Sequence, residues 1–420
     1  MRRPVRRVAF YGYLGSGNIG NDATLETVMG WLNFNHPQVE LSCISIAPAA
    51  VSGRYGIPSV PMTWHSPDRR DNGLIGASHR VFGRLLDIPR SYTLAGSVDA
   101  VIVPGMGVLE ESLRARPWSL PFGLFLMAAA CRLRRRPFVL LDVGAERASN
   151  PVTRWLYMTT VRLAAHVSYR DQLSAARMAR AGAREPDAVA PDLAFAHPAS
   201  TLANPQPGRL VVGVMAYYGK GDDPVRGAHV RRKYVATMGE ALAQLAEAGD
   251  QVVLVGGDRV DVDVARDVRA AMLSAYPALP DDAVLVRDFE TFTELTEEMM
   301  RADVVIASRF HNLICALRLA RPTVSVGYAA KNRYLMEALD VAGFAQEIMQ
   351  LDADQLVAQV RGARENSEAV TALIRQGTVK WAEEVECLLE RVATEILGLP
   401  ARQSPARPKL QDEMNAWLST

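Results

Sequence analysis

The sequence predicts an α/β protein with two Rossmann-like, doubly wound domains that face each other across a cleft, followed by a helical C-terminal segment. Apolar runs typical of buried parallel strands alternate with helical patterns along most of the chain. A proline-rich stretch at 196–209 interrupts this alternation, which then starts again. A length of 420 residues also exceeds the usual size of one domain. The predicted boundaries are 1–195 for the first domain, 196–209 for a linker, 210–345 for the second domain, 346–398 for C-terminal helices and 399–420 for a flexible tail.

The individual elements follow from these patterns. In the first domain we predict strands at 7–13, 39–46, 100–103, 138–143 and 167–169, a helix at 23–33, and a loop over the proline- and glycine-containing stretch 48–67. In the second domain we predict strands at 210–215, 251–255, 283–286, 303–307 and 323–327, and helices at 231–248, 262–274, 291–301 and 311–320. Parallel strands bind ligands at their carboxyl ends, so the expected active site lies in the cleft between the domains.

Composition excludes several classes of protein. The 47 basic and 46 acidic residues nearly cancel, so no basic field indicates binding to nucleic acid. The four cysteines form no Cys-x-x-Cys pair, and the scattered histidines suggest no metal site. The apolar run at 8–14 is too short for a signal peptide, and the one at 120–131 is too short to span a membrane. We therefore expect a cytoplasmic protein that needs no cofactor or metal.

The first candidate site is the glycine-rich turn at 12–23, between the first strand and the first helix. Glycines let backbone N–H groups approach a phosphate closely, and a helix N-terminus favours negative charge. The same residues also suit an ordinary tight turn in which Asn18 or Asn21 caps the helix. The spacing departs from the dinucleotide-binding fingerprint, which disfavours a nicotinamide-dependent dehydrogenase.

The second candidate site places Arg309 and His311 between a buried strand and the first turn of a helix. Arginine can bind a carboxylate or phosphate through two N–H groups, and histidine can transfer a proton to the bound anion. Lys331 follows the next strand and should point toward the same region, although a solvated loop lysine is the alternative.

Together, these residues resemble the polysaccharide pyruvyl transferase family. The resemblance rests on GSGNIGNDATL at 15–25, SRFH at 308–311 and GYAAK at 327–331, with support from VPGMG at 103–107, SYRD at 168–171 and APDLA at 190–194. It extends in order from residue 8 to about residue 345.

The resemblance implies a fold similar to the GT-B glycosyltransferases and transfer of pyruvate from phosphoenolpyruvate onto two hydroxyls of a sugar, as a ketal. It implies that Arg309 and His311 handle the donor, with Lys331, Asn312 and Tyr328 as further donor contacts. Family members often carry an arginine after the first strand of the second domain, where this chain offers only Lys220. The candidate contacts for the acceptor are Gly15, Ser16, Asn18, Gly20, Asn21, Gly105 and Gly107.

The chemistry suggests separate roles for three of these residues. His311 is the candidate acid that protonates C3 of phosphoenolpyruvate, and Arg309 would hold its anionic groups. Asp22 is a candidate base for the sugar hydroxyl, with capping of the first helix as its alternative.

The sequence fits more than one function, and more than one role for residues 118–131. A nucleotide-sugar glycosyltransferase and a non-catalytic sugar- or nucleotide-binding protein are the competing functions; the 311–320 helix lacks the glutamate with which many glycosyltransferases hold a ribose. The apolar stretch 118–131 and the arginines that follow it suit a buried crossover helix. They also suit contact with an anionic membrane at the inner face of the cell, where a lipid-linked acceptor would lie.

Overall fold

A computed structural model describes residues 5–64, 73–110, 117–198, 204–219 and 224–401, with the backbone alone for 73–81, 224 and 281. These residues form two compact units. Unit 1 contains the described residues up to Ser16, Thr24–His197 and the residues from Trp381 onward. Unit 2 contains Gly17–Ala23 and the described residues of Pro198–Lys380. Part of the predicted linker (199–203) and most of the predicted tail (402–420) lie outside the described residues.

Unit 1 is built around one parallel sheet. Its described strands are β1 Arg7–Gly12, β2 Glu40–Ser45, β3 Ser59–Pro61, β4 Ala100–Pro104, β5 Phe138–Val143, β6 His166–Tyr169 and β7 Ala188–Val189. They pair in the order β3-β2-β1-β4-β5-β6-β7. The described helices are α1 Ile19–Asn35, α2 Pro48–Tyr55, α3 Gly73–Ser97, α4 Leu120–Leu133, α5 Pro151–Leu163 and α6 Gln172–Arg180. Every residue of β4 and β5 is buried, as expected for central strands covered by helices on both faces.

The predicted loop at 48–67 is wrong. Residues Pro48–Tyr55 form α2, and Ser59–Pro61 form the edge strand β3. Pro48 lies at the start of the helix, where the missing N–H costs nothing, and Gly56 ends it in a left-handed conformation at φ 66°. Pro48 and Gly56, which suggested a loop, therefore mark the ends of a short helix.

Unit 2 repeats the same architecture. Its described strands are β8 Arg209–Gly213, β9 Gln251–Val255, β10 Val284–Arg287, β11 Val304–Ala307, β12 Thr323–Gly327 and β13 Ala345–Glu347, which pair in parallel in the order β10-β9-β8-β11-β12-β13. The described helices after β8 are α7 Pro224–Glu247, α8 Val262–Ala275, α9 Phe292–Met300, α10 Phe310–Arg318, α11 Ala330–Ala338, α12 Ala353–Glu365 and α13 Ser367–Arg391.

The strand order of each unit reverses once, beside its first strand. In unit 1 the reversal lies between β1 and β4, and in unit 2 it lies between β8 and β11. Doubly wound sheets bind ligands at the carboxyl ends of the strands that flank such a reversal. The predicted Arg309 and His311 follow β11, so they lie at this point of the unit 2 sheet.

Candidate active site

Arg309 lies where β11 ends and α10 begins, and a buried aspartate holds its guanidinium. Its Nε and Nη2 atoms donate hydrogen bonds of 2.8 and 2.6 Å to the two carboxylate oxygens of Asp261. Asp261 is itself fully buried and also accepts the backbone N–H groups of Ala216 and Gly257. Burial opposes the charged guanidinium, but the hydrogen bonds and charge of Asp261 outweigh it, so the pKa of Arg309 is raised.

This ion pair leaves one edge of Arg309 available. Within the described part of the chain Nη1 donates no hydrogen bond, and the side chain keeps 22% of its surface exposed. Asp261 therefore fixes the guanidinium while the opposite edge can bind an anion. Sequence reasoning missed Asp261; its signal was an acidic residue shortly after Gly256 and Gly257, at the end of β9.

His311 is enclosed by Phe310 and by Gly20. It is the second residue of α10, and its ring lies 5.4 Å from the ring of Phe310 in an edge-on arrangement. A Cβ atom built on Gly20 would lie 2.0 Å from Nδ1 of His311, so only glycine can occupy this position without displacing the ring. The glycine-rich segment thus shapes the surroundings of the candidate acid within unit 2.

The Gly17–Ala23 segment is attached to the loop after β9. The N–H of Ile19 donates to the carbonyl of Gly257 at 3.1 Å, and Nδ2 of Asn18 donates to Asp258 at 3.0 Å. Oδ1 of Asn18 accepts the N–H groups of Gly20 and Asn21, so Asn18 caps α1. This cap explains why α1 begins at Ile19, four residues before the predicted start.

Asp22 lies in the first turn of α1 and is fully buried. Its backbone N–H donates to the carbonyl of Asn18 at 3.3 Å. The sequence left two roles open for Asp22, which are helix capping and base catalysis. The side chain that caps α1 is that of Asn18. The role of Asp22 as a base stays a prediction.

Asn312 locks α10 onto the ends of two strands. It is 1% exposed, and its Nδ2 donates to the carbonyl of Gly256 at 3.4 Å. Cβ atoms built on Gly213 and Gly257 would lie 2.4 and 2.9 Å from its amide atoms. Asn312, which the sequence suggested as a contact for the donor substrate, is thus a buried residue that sets the position of Arg309 and His311.

Lys331 and Tyr328 both follow β12. Nζ of Lys331 lies 4.5 Å from the ring centroid of Phe310, the neighbour of His311. Tyr328 lines a cavity of about 480 Å³ at the ends of β12 and β13, where its ring lies 5.9 Å from that of Tyr217. Arg226 from α7 lines the same cavity. The structure therefore offers Arg226 as a cation near the end of β8, whereas Lys220 lies outside the described residues.

The predicted acceptor residues of unit 1 lie after β1 and β4. Gly15 and Ser16 follow β1, and Oγ of Ser16 donates to the carbonyl of Tyr13 at 3.2 Å. Gly105 follows β4 in a left-handed conformation, with its Cα against Thr24. Gly107 lies against the carboxylate of Glu110, which a Cβ atom there would approach within 2.5 Å.

Glu110 belongs to a buried charged cluster that sequence reasoning missed. Arg170, after β6, donates to Glu110 and also to Asp192 at 3.3 Å. Asp142, near the end of β5, is fully buried with φ 58°. Burial and the nearby charge of Asp192 raise the pKa of Asp142, although Arg170 opposes them. The stretches SYRD and APDLA thus contribute Arg170 and Asp192 to one cluster.

The described residues offer neither a metal site nor a membrane-spanning helix. They contain no group of three or more histidine, cysteine, aspartate or glutamate side chains arranged to hold a metal ion. None of the helices in the described ranges is both long and apolar enough to cross a membrane.

The two parallel-sheet α/β units and the helical C-terminal segment define a GT-B-like protein. Arg309 and His311 lie at the carboxyl edge of its second sheet. The family model for polysaccharide pyruvyl transferase matches residues 18–329. The chain therefore belongs to the polysaccharide pyruvyl transferase family, and it is a transferase. No curated protein sequence matches it at a significant level.

Solved structures with the same fold share little sequence with this chain. The structure described as a UDP-N-acetylglucosamine 2-epimerase of Listeria monocytogenes has a TM-score of 0.61 and 10% identity, with 96% of this chain and 100% of that chain covered. The UDP-GlcNAc 2-epimerase of Neisseria meningitidis has a TM-score of 0.56 and 10% identity, covering 91% and 99%. A glycosyltransferase of Rickettsia africae has a TM-score of 0.53 and 13% identity, covering 93% and 98%. At these identities the likeness shows the fold alone.

Proposed function

We propose that this chain transfers pyruvate from phosphoenolpyruvate onto two hydroxyls of a sugar in a cell-surface polysaccharide or its precursor, forming a ketal and releasing phosphate. The sugar would be presented on a lipid or a nucleotide carrier. Phosphoenolpyruvate would bind to unit 2, and the carboxyl edge of the unit 1 sheet would serve the acceptor.

The observation that carries this proposal is the pairing of an oriented arginine with an enclosed histidine at the strand reversal of unit 2. Asp261 fixes Arg309 so that its Nη1 edge can bind a carboxylate or phosphate. His311 lies two residues further, in the first turn of α10, where N–H groups of the helix favour an anion. Lys331 adds a third cation beside Phe310. A small substrate with two anionic groups and a protonatable carbon fits this set.

The reaction would proceed in four balanced steps. His311 gives a proton to C3 of phosphoenolpyruvate, and C2 becomes electrophilic. The oxygen of the first sugar hydroxyl attacks C2 and loses its proton. The bond between C2 and the phosphate oxygen then breaks, and phosphate leaves with that electron pair. The second hydroxyl attacks C2 and loses its proton, which closes the ketal ring. Of the two hydroxyl protons, one restores the acid form of His311 and the other leaves with the phosphate. Arg309 and Lys331 would stabilise the negative charge on the leaving phosphate.

A glycosyltransferase that uses a nucleotide sugar is the second candidate, and the fold of the solved neighbours favours considering it. The helix α10 (FHNLICALR) contains no acidic residue for a ribose, however. Ligand-dependent thermal unfolding separates the two functions. We expect phosphoenolpyruvate to raise Tm and UDP- or GDP-linked sugars to leave it unchanged. The opposite pattern would favour the glycosyltransferase.

His311→Gln tests the acid. The variant keeps a side chain that forms hydrogen bonds but cannot deliver a proton. We expect it to bind phosphoenolpyruvate, measured by calorimetry, while phosphate release with a panel of sugar acceptors falls by about 10²–10⁴-fold. In deuterated water the wild-type product should carry solvent deuterium in its methyl group.

The control is His229→Gln, which changes an exposed histidine of α7. It should turn over like the wild type. If His311→Gln binds the donor and also turns over within a few-fold of the wild type, another residue is the acid.

A further inference from the structure

The outer surface of α4 and α5 combines exposed aromatic rings with a concentration of arginines. The inner face of α4 is buried, as in any crossover helix, by residues such as Leu124, Met127 and Cys131. The outer face carries Trp118, Phe122 and Phe125, and α5 adds Trp155 beside them. We call these four rings, with the arginines of 132–162, the aromatic–arginine face.

The four rings form one continuous row. Trp118 contacts Phe122 at a centroid distance of 5.7 Å, Phe122 contacts Phe125 at 6.4 Å, and Phe125 contacts Trp155 at 5.5 Å. Trp118 is 60% exposed and Trp155 is 57% exposed, although both are large apolar side chains. Leu133, at the end of α4, is 74% exposed. A cluster of this size on one surface is typical of a binding face.

The charge of this region is one-sided. Residues 117–165 contain seven arginines and no lysine, against two acidic residues, Asp142 and Glu146. Asp142 is buried, and Glu146 pairs with Arg177. In the described part of the chain Arg132, Arg135 and Arg162 form no ion pair, and they line a groove of about 1190 Å³ at the ends of α4 and α5. Its lining also includes Glu40 and Asp99, but Asp99 is paired with Arg7 and Arg136, so positive charge is in excess. The groove can therefore bind phosphate groups.

We propose that the aromatic–arginine face docks onto the surface of a membrane that contains anionic phospholipids. Tryptophan and phenylalanine rings insert at the boundary between headgroups and acyl chains, while arginines bind the phosphates of the headgroups. The two helices would lie on the membrane without crossing it.

The charge pattern favours this partner over a protein or a nucleic acid. The excess of positive charge favours an anionic partner, and a lipid surface supplies anionic headgroups for the arginines and an apolar region for the rings together. A nucleic-acid site would need rings separated for stacking with bases, whereas these rings pack against one another. The proposal stands independently of the reaction proposed above, since it concerns a different surface of unit 1.

Vesicle co-sedimentation of the full chain tests the proposal. We expect binding to vesicles of phosphatidylglycerol and phosphatidylethanolamine, and little binding to phosphatidylcholine alone. Trp118→Ser/Trp155→Ser should weaken binding by tenfold or more, on the order of the loss expected for two buried aromatic side chains. Arg132→Gln/Arg162→Gln should weaken it by roughly 30-fold at low salt, since each arginine near an anionic surface contributes about one fivefold step.

Control variants with the same kinds of substitution outside the aromatic–arginine face test whether the loss of binding is specific to that face. Trp64→Ser changes another half-exposed tryptophan, and Arg180→Gln/Arg232→Gln removes two exposed arginines elsewhere. These variants should bind like the wild type, and circular dichroism should show every variant folded. The proposal is overturned if the chain ignores anionic vesicles, if the control variants lose as much binding, or if the tryptophan variant binds unchanged. The last result would indicate adsorption by charge alone.

Discussion

At the scale of single residues, Asp261 fixes the orientation of the Arg309 guanidinium. From the sequence, Arg309 is a cation that waits for an anionic substrate. In the structure two of its donors already bind a fully buried carboxylate. Because Asp261 is fixed by two backbone N–H groups, the guanidinium cannot rotate freely, and its remaining edge is aimed before any ligand arrives. The arginine is therefore better described as an oriented donor than as a flexible positive charge.

Asp142 gives a prediction about pH. Its native pKa is raised above that of the unfolded chain by burial and by Asp192. A raised native pKa means that the stabilisation is complete below the unfolded value of 3.8 and decreases as the pH rises toward the native value. Asp142→Asn imitates the protonated side chain and also tolerates φ 58°. We expect the variant to gain stability over the wild type between pH 5 and pH 8, measured by urea unfolding.

The control for this prediction is Asp187→Asn, which changes an aspartate whose pKa is lowered. Its stabilisation is present above the unfolded pKa and is lost at acid pH, so the variant should be less stable than the wild type at pH 8. A constant difference between Asp142→Asn and the wild type across this range would show that Asp142 does not hold a proton.

At the scale of elements, the start of α1 leaves room for the ring of His311, because Gly20 has no side chain. Gly20→Ala would place a methyl group 2.0 Å from Nδ1 of His311. In an unobstructed helix the same substitution adds about 0.5–1 kcal/mol of stability. Here we expect a loss of about 1–3 kcal/mol in the free energy of unfolding, because the ring or the helix must move.

The adjacent helix α2 provides the matched control. Gly53 lies inside it, with nothing within 4 Å of a built Cβ atom, so Gly53→Ala should be stabilising. The double variant Gly20→Ala/His311→Ala should recover the stability lost by Gly20→Ala alone, in a double-mutant cycle. If the two substitutions simply add, Gly20 does not position His311.

The elements also show which parts of the fold the sequence can predict. Short runs of buried apolar residues can be recognised as strands from the local sequence alone, and this was the case for β4, β5, β9 and β11. The helix α2 and the strands β3 and β13 were missed because they are short, lie at or near the edge of a sheet and contain prolines or polar residues. Their existence depends on packing and pairing that the local sequence does not display.

The same limit applies to the site. Arg309 and His311 could be found because a cation and an imidazole at a strand end have a local signature. Asp261 is 48 residues from Arg309 in sequence, and Gly20 is still further from His311. Such partners are brought together only by the fold. The cluster of Arg170, Glu110 and Asp192 was missed for the same reason.

At the scale of the whole molecule, the C-terminal helices do not belong to one unit. Helix α13 begins at Ser367 among the residues of unit 2, but from Trp381 onward the chain belongs to unit 1. There the ring of Trp381 lies 4.8 Å from that of Phe195, and the carbonyl of Leu397 accepts the N–H of Val5. The predicted helical segment at 346–398 is thus shared by two cores, a feature that helical periodicity cannot reveal.

This sharing predicts the effect of shortening the chain. A chain that ends at residue 380 loses six buried valine and leucine side chains from the core of unit 1, namely Val385, Leu388, Leu389, Val392, Leu397 and Leu399. Burial of each contributes about 1.5–3 kcal/mol, and their sum is comparable with the whole stability of a domain. We therefore expect unit 1 to unfold, detected by thermal unfolding and limited proteolysis. A chain that ends at Ala401 keeps all six side chains and should melt within about 2 °C of the full chain, on the scale of 1 kcal/mol or less.

A point substitution checks the same prediction where the shortened chain fails to accumulate. Leu388→Ala should cost about 2–5 kcal/mol, because Leu388 is 2% exposed and its removal leaves a cavity in the core of unit 1. Leu373→Ala lies on the same helix before Trp381, at 40% exposure, and should cost far less. Equal losses for the two leucines, or a chain ending at residue 380 that melts like the full protein, would show that unit 1 is complete without the last turns of α13. The expected difference instead makes the C-terminal segment a structural part of the first sheet's core, although it follows the second sheet in sequence.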